Sequence, residues 1–155
     1  MGLSIICEII MSYIITDDVF FEECIMALGE NVTILDKPES NKIWTIFKSH
    51  IPIIKGGSRI DWKQIDRKST IDIPTQTFST LKKLLPNLID TSVCVLWNDA
   101  LLPVIKTNIE SVIAHFDDVT AVCFETWLYN PEQKYIVEFY YLGEMSAGLV
   151  PFPLK

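Results

Sequence analysis

The stretch from residue 92 to residue 151 leaves the chain little freedom, because a strand, a helix and two consecutive hairpins follow one another with few residues to spare. Val93-Cys94-Val95-Leu96-Trp97 is a continuous apolar run rich in β-branched and aromatic side chains, the pattern of a strand covered on both faces. Thr107 and Glu110 stand at capping-box spacing. Ile109, Val112, Ile113 and Phe116 then form one apolar helix stripe that ends before the polar pair Asp117-Asp118. A strand, a crossover helix and a further strand in succession predict parallel neighbours with a right-handed connection.

Residues 121–129 are too rich in β-formers to prolong the helix, and Asn130-Pro131-Glu132-Gln133-Lys134 has the composition of a five-residue turn. Pairing Tyr129 with Tyr135 across that turn puts Glu125 and Glu138 on opposite faces of the hairpin, which argues against a glycosidase-like carboxylate pair. Gly143-Glu144 fits a two-residue turn with glycine at positive φ, and residues 145–150 supply the returning strand. The expected architecture is α+β, one domain over residues 1–155. It has a mixed, mainly antiparallel sheet with a C-terminal strand-helix-strand-hairpin-strand block and about four helices packed on it.

Three of those helices lie upstream. Asp17-Asp18 and Gly29 bracket a helix whose Phe20, Cys24 and Leu28, with Phe21 and Ile25 beside them, form an apolar face. Residues 32–35 suit a short strand. Ser40 is placed to cap a second helix carrying Ile43, Ile46 and Phe47 until Pro52 stops it, and Thr75 a third carrying Phe78, Leu81, Leu84 and Leu85. Lys55-Gly56-Gly57-Ser58-Arg59 lacks the spacing of a phosphate-binding loop and reads as a turn.

Charge is distributed unevenly. Residues 1–36 hold seven acidic and no basic side chains, residues 37–83 ten basic and four acidic, and residues 84–155 three basic and nine acidic, for a net −7. That balance disfavours direct nucleic-acid binding, and most charges of the basic third read as a solvated face. Cys7, Cys24, Cys94 and Cys123 are far apart, without ligand spacing, so they read as reduced core residues with no metal and no disulfide in a cytoplasmic protein. The apolar residues 3–15 are too few to span a bilayer and lack a basic flank, so no membrane association is expected of them.

The search for chemistry finds little. No nucleophile elbow, zinc-protease, dinucleotide or Walker motif is present. His115 on a helix has no nucleophile marked for it, and His50 suits the C-terminal end of the second helix.

Several short words of the sequence do point to a family. Glu23-Cys24-Ile25-Met26-Ala27-Leu28-Gly29, Arg59-Ile60-Asp61-Trp62, Asp117-Asp118-Val119, Glu125-Thr126-Trp127-Leu128-Tyr129-Asn130-Pro131 and Ile136-Val137-Glu138-Phe139-Tyr140-Tyr141-Leu142-Gly143-Glu144 resemble bacterial immunity proteins of contact-dependent growth inhibition systems. The similarity runs over residues 19–150, leaving residues 1–16 as an N-terminal extension. It implies a cytoplasmic binding protein, without catalysis or cofactor, that neutralises the toxic C-terminal domain delivered by a neighbouring bacterium, often a nuclease, by occluding its active site or substrate surface. An acidic surface suits the basic cleft of such a toxin. The candidate toxin-binding residues are Asp99, Asp117, Asp118, Glu132 and Glu144 in loops or turns, with Tyr140 as aromatic anchor. A small enzyme with an unmarked site and a structural or oligomerisation module are the competing readings.

Overall fold

A computed structural model of the chain describes residues 18–151. The N-terminal extension and Cys7 lie outside the described residues. Helix α1 (Val19–Leu28) is bracketed as its sequence predicts: the Asp18 carboxylate accepts the Phe21 N–H at 2.8 Å, and Gly29, at φ 59°, donates its N–H to the Ile25 carbonyl. Its buried face is Phe21, Cys24, Ile25 and Leu28, all within the expected apolar face, from which only Phe20 departs by being exposed.

Strand β1 (Thr33–Ile34) leads to helix α2 (Lys37–His50), which starts three residues before Ser40. Asp36 caps it by accepting the Glu39 N–H, and Pro38 occupies the first turn where no backbone donor is needed. Ser40, the expected cap, is instead buried inside that turn. It accepts the Val104 N–H at 3.1 Å and donates to the Leu35 carbonyl at 3.4 Å, so α2 is fastened to the chain entering the sheet. Residues 51–65 form an arm with a small hairpin of its own, Ile53 bridging Ile60 around Gly56 at φ 78°. Strand β2 (Lys68–Thr70) follows. A 3₁₀ turn over Pro74–Gln76 then introduces helix α3 (Thr77–Leu84), so Thr75 is not a cap, and the Thr77 hydroxyl donates back to Pro74.

The C-terminal block departs from expectation at one decisive place. Between β3 (Ser92–Trp97) and helix α4 (Ile109–Ala114) runs an additional strand, β4 (Ile105–Asn108), antiparallel to β3. That reversal returns the chain so that β5 (Glu125–Asn130) pairs antiparallel with β3, and the predicted parallel crossover is not formed. The helix cap moves from Thr107 to Asn108, whose side chain accepts the Ser111 N–H. Nor does the stripe continue as one helix. It breaks at His115 (φ −122°, ψ 38°), and α5 (Phe116–Thr120) starts there with Asp117 and Asp118 in its first turn.

The β5–β6 hairpin is slipped by one residue from the predicted register. Asn130 pairs with Tyr135, and the loop shrinks to four residues because the Asn130 side chain accepts the N–H groups of Glu132 and Gln133 while Lys134 takes φ 60°. A one-residue slip exchanges faces along one strand, so Glu125 and Glu138 share a face. Strand β6 (Tyr135–Tyr140) then turns through Tyr141, Leu142 and Gly143 into β7 (Met145–Leu149). Gly143 donates to the Tyr140 carbonyl, and the Tyr140 N–H to the Glu144 carbonyl, a three-residue loop with glycine at φ 94° in place of the expected two-residue turn.

Among the described residues the sheet has seven strands in the order β1-β4-β3-β5-β6-β7-β2, antiparallel throughout, and the fold is α+β with five α-helices. Helices α1, α3, α4 and α5 cover one face, packing Phe21, Leu81, Val112 and Val119 against Val95, Leu128, Val137 and Phe139. Helix α2 and the arm cover the other, packing Phe47, Ile60 and Ile65 against Leu96, Trp127 and Ile136.

Candidate functional site

Glu138 stands near the end of β6 on the arm's side of the sheet, and its carboxylate is only 1% exposed. Burial of a charge requires donors on every side, and the arm supplies three of the four. Oε1 accepts from Arg59 Nη2 and Trp62 Nε1, both at 3.1 Å, and Oε2 accepts from the Ile60 N–H at 2.8 Å and Trp127 Nε1 at 3.0 Å. Residues 59, 60 and 62 thus close on a single acceptor. The fit is tight, since a Cβ added to Gly148 on β7 would stand 2.9 Å from both Ile65 and Trp62.

Arg59 passes over the rim of the sheet. Its guanidinium carbon lies 3.8 Å from the centre of the Tyr140 ring, and Nη1 reaches the exposed Glu144 carboxylate at 2.7 Å. Burial alone would weaken the protonated guanidinium, but the bond to Glu144 and the nearness of Glu138 outweigh it and hold the Arg59 pKa above its ordinary value. The Tyr140 phenol is pushed up by desolvation and by its neighbour Tyr141, against the opposing pull of Arg59.

Glu125 opens β5 on the same face, 6% exposed. It accepts from the Ser58 hydroxyl at 2.6 Å and from Asn98 Nδ2 at 3.4 Å, so the arm and the loop after β3 meet on it. That loop carries Asp99, which accepts the Leu101 N–H at 2.9 Å. Beyond the strand ends the Phe124 and Tyr141 rings stack at 4.6 Å, joined by the Tyr141 N–H to Phe124 carbonyl bond at 2.9 Å, and Tyr141 meets Tyr140 at 4.8 Å.

The structure therefore brings Asp99, Tyr140 and Glu144 to one end of the sheet. Asp117 and Asp118 belong to α5 on the opposite face, where Asp118 approaches Cys24. Glu132 lies in the β5–β6 turn at the far end, beside an open cleft lined by Asp90, Lys106 and Tyr129. The six do not form one patch. Sequence reasoning placed Arg59 in a turn and in one of the family's short words without giving it a role at the site, and it found Glu125 and Glu138 but separated them.

The remaining singled-out groups have structural neighbours. His50 Nδ1 is 2.9 Å from the Ile46 carbonyl within α2, and His115 joins α4 to α5. Cys24 and Cys94 are buried and Cys123 half-buried. Desolvation, with a smaller contribution from Asp118, pushes the Cys24 thiol up to about 12. With both Glu138 oxygens holding two donors each, little acceptor capacity remains for acid–base work. No helix among the described residues is long and apolar enough to cross a membrane.

No curated protein matches the chain. The profile of the family described as CdiI immunity protein EcoliA0-like matches residues 18–148, from the cap of α1 to the penultimate residue of β7. With most of its length inside that match, the chain belongs to the CdiI immunity protein family, whose members neutralise toxins in contact-dependent growth inhibition.

Proposed function

We propose that the chain binds its cognate toxin domain, of the nuclease kind, and blocks the active site or substrate surface with the end of the sheet built around Arg59. The family match over residues 18–148 carries the reading. Electrostatics supports the choice of surface. Asp99, Glu125, Glu138 and Glu144 gather at this end, where Arg59 is ion-paired to two of them, and the arm also carries Lys55, Lys63 and Asp61. The acidic excess suits a cleft shaped for phosphates. Asp99, Tyr140 and Glu144 are assigned to the contact. Asp117, Asp118 and Glu132, on the other face and at the other end, contribute at most to the long-range field.

Co-expression with the C-terminal domain encoded by the adjacent upstream gene tests the reading. A stable complex that protects cells and abolishes nuclease activity is expected, and Asp99→Lys with Glu144→Lys should slow association and flatten its salt dependence. Failure of the wild-type chain to bind or protect would refute it.

A further inference from the structure

Two of the largest exposed apolar side chains, Phe124 (65% exposed) and Tyr141 (55%), stack on each other, and Leu142 (65%) follows at the tip of the same turn. Scattered apolar residues on a surface need no explanation, but a contiguous group does. This one is also held in place. Phe124 stacks on Tyr141, Tyr141 meets Tyr140, and Tyr140 lies under Arg59, which is itself held by Glu138 and Glu144. Side chains already fixed in the free protein lose little conformational freedom on binding, and tyrosine and phenylalanine in such a setting are the usual energetic centres of protein contacts.

Resting on the toxin-binding reading, we infer that Phe124, Tyr141 and Leu142 are the apolar anchor of the interface, and that the partner is a protein offering a hydrophobic pocket rimmed by lysine or arginine. Charge complementarity selects that occupant. A second copy of this chain would bring Asp99 and Glu144 against their own kind, and nucleic acid or an anionic bilayer would meet the same acidic rim. The acidic residues steer the encounter, and the rings hold the complex together.

The variant Phe124→Ala with Tyr141→Ala, measured against the purified cognate toxin domain, should weaken affinity about thirtyfold or more, mainly through faster dissociation, with the salt dependence of association retained. Leu142→Asp, at an exposed turn tip, provides a second test that does not depend on the stacked pair. Ile89→Ala, an isolated side chain 86% exposed at the opposite end of the sheet, should bind within about twofold of wild type. If the wild-type complex forms but both anchor variants bind within about twofold of it, the anchor assignment is wrong. A wild-type dimer dispersed by Leu142→Asp would assign the patch to self-association and overturn the inference equally. Absence of any wild-type complex would instead remove the toxin-binding reading beneath it.

Discussion

The two faces of the sheet are covered by different physics. On the face of α1, α3, α4 and α5, aliphatic and aromatic side chains meet with few buried polar contacts, the Trp97 Nε1 bond to the Val119 carbonyl at 3.0 Å being one. On the face of α2 and the arm, a comparable apolar layer is interrupted by two buried carboxylates, Glu138 and Glu125, that fix the arm. Apolar packing tolerates substitutions of similar volume, whereas a hydrogen-bonded charge specifies chemistry and direction. The face that specifies direction is the one that carries Arg59 to the candidate surface.

Substitution at Glu138 should separate the faces most sharply. Glu138→Ala strands four donors, two of them indole N–H groups, and should cost about 3–5 kcal/mol in urea unfolding. A loss below about 1 kcal/mol, the worth of an ordinary hydrogen bond, would show that the arm is held by apolar contact alone. Glu138→Gln keeps the volume but replaces one acceptor oxygen with an NH2 donor that faces two N–H groups, and about 1–3 kcal/mol is expected from the same measurement. Gly148→Ala wedges β7 from Ile65 and Trp62 and should cost about 1–3 kcal/mol. The helical face should respond to volume only, so Ile105→Val there should lose about 0.5–1.5 kcal/mol.

Smaller effects test its outer helices. Asp117 and Asp118 stand in the first turn of α5, where the dipole favours negative charge, so reversing both to lysine should lower stability by up to about 0.3–1 kcal/mol each. Had they followed a helix, as the sequence suggests, the sign would be opposite, and thermal melting decides between the two. Thiol reactivity reports on the same layer with no change in stability. A raised pKa keeps a thiol protonated as pH rises, so Cys24, pushed to about 12, should resist alkylation at pH 9 while half-buried Cys123 reacts first. A Cys7→Ser background keeps the count unambiguous.

What was legible in the sequence was local. Asp18 and Gly29 mark α1 because both caps act within four residues of themselves, and the 93–97 run announces a central strand. Strand β4 was hidden because its four residues alternate weakly and include Lys106 and Asn108, and its omission reversed a strand direction. Asn130 hid the hairpin register, since composition alone does not show whether its side chain closes the turn. The hub was the least visible part, because the Ile60 N–H and its acceptor Glu138 are 78 residues apart. Arg59 and Glu138 were each noticed in the family's short words, but nothing in the sequence paired them.

That separation has a consequence for the order in which the chain can be completed. The arm seats on Glu138 and Gly148, and β2 pairs with β7, so residues 51–70 leave the ribosome before these sheet partners exist. At ordinary rates of synthesis the delay is roughly four to sixteen seconds. During that time Ile60, Ile65 and Trp62 lack the sheet residues Leu96, Trp127 and Ile136 of their cluster, while α1 can already close between its own caps. Loss of the last strand therefore removes more than one edge of the sheet: it leaves β2 unpaired and takes away the Gly148 surface against which Ile65 and Trp62 pack.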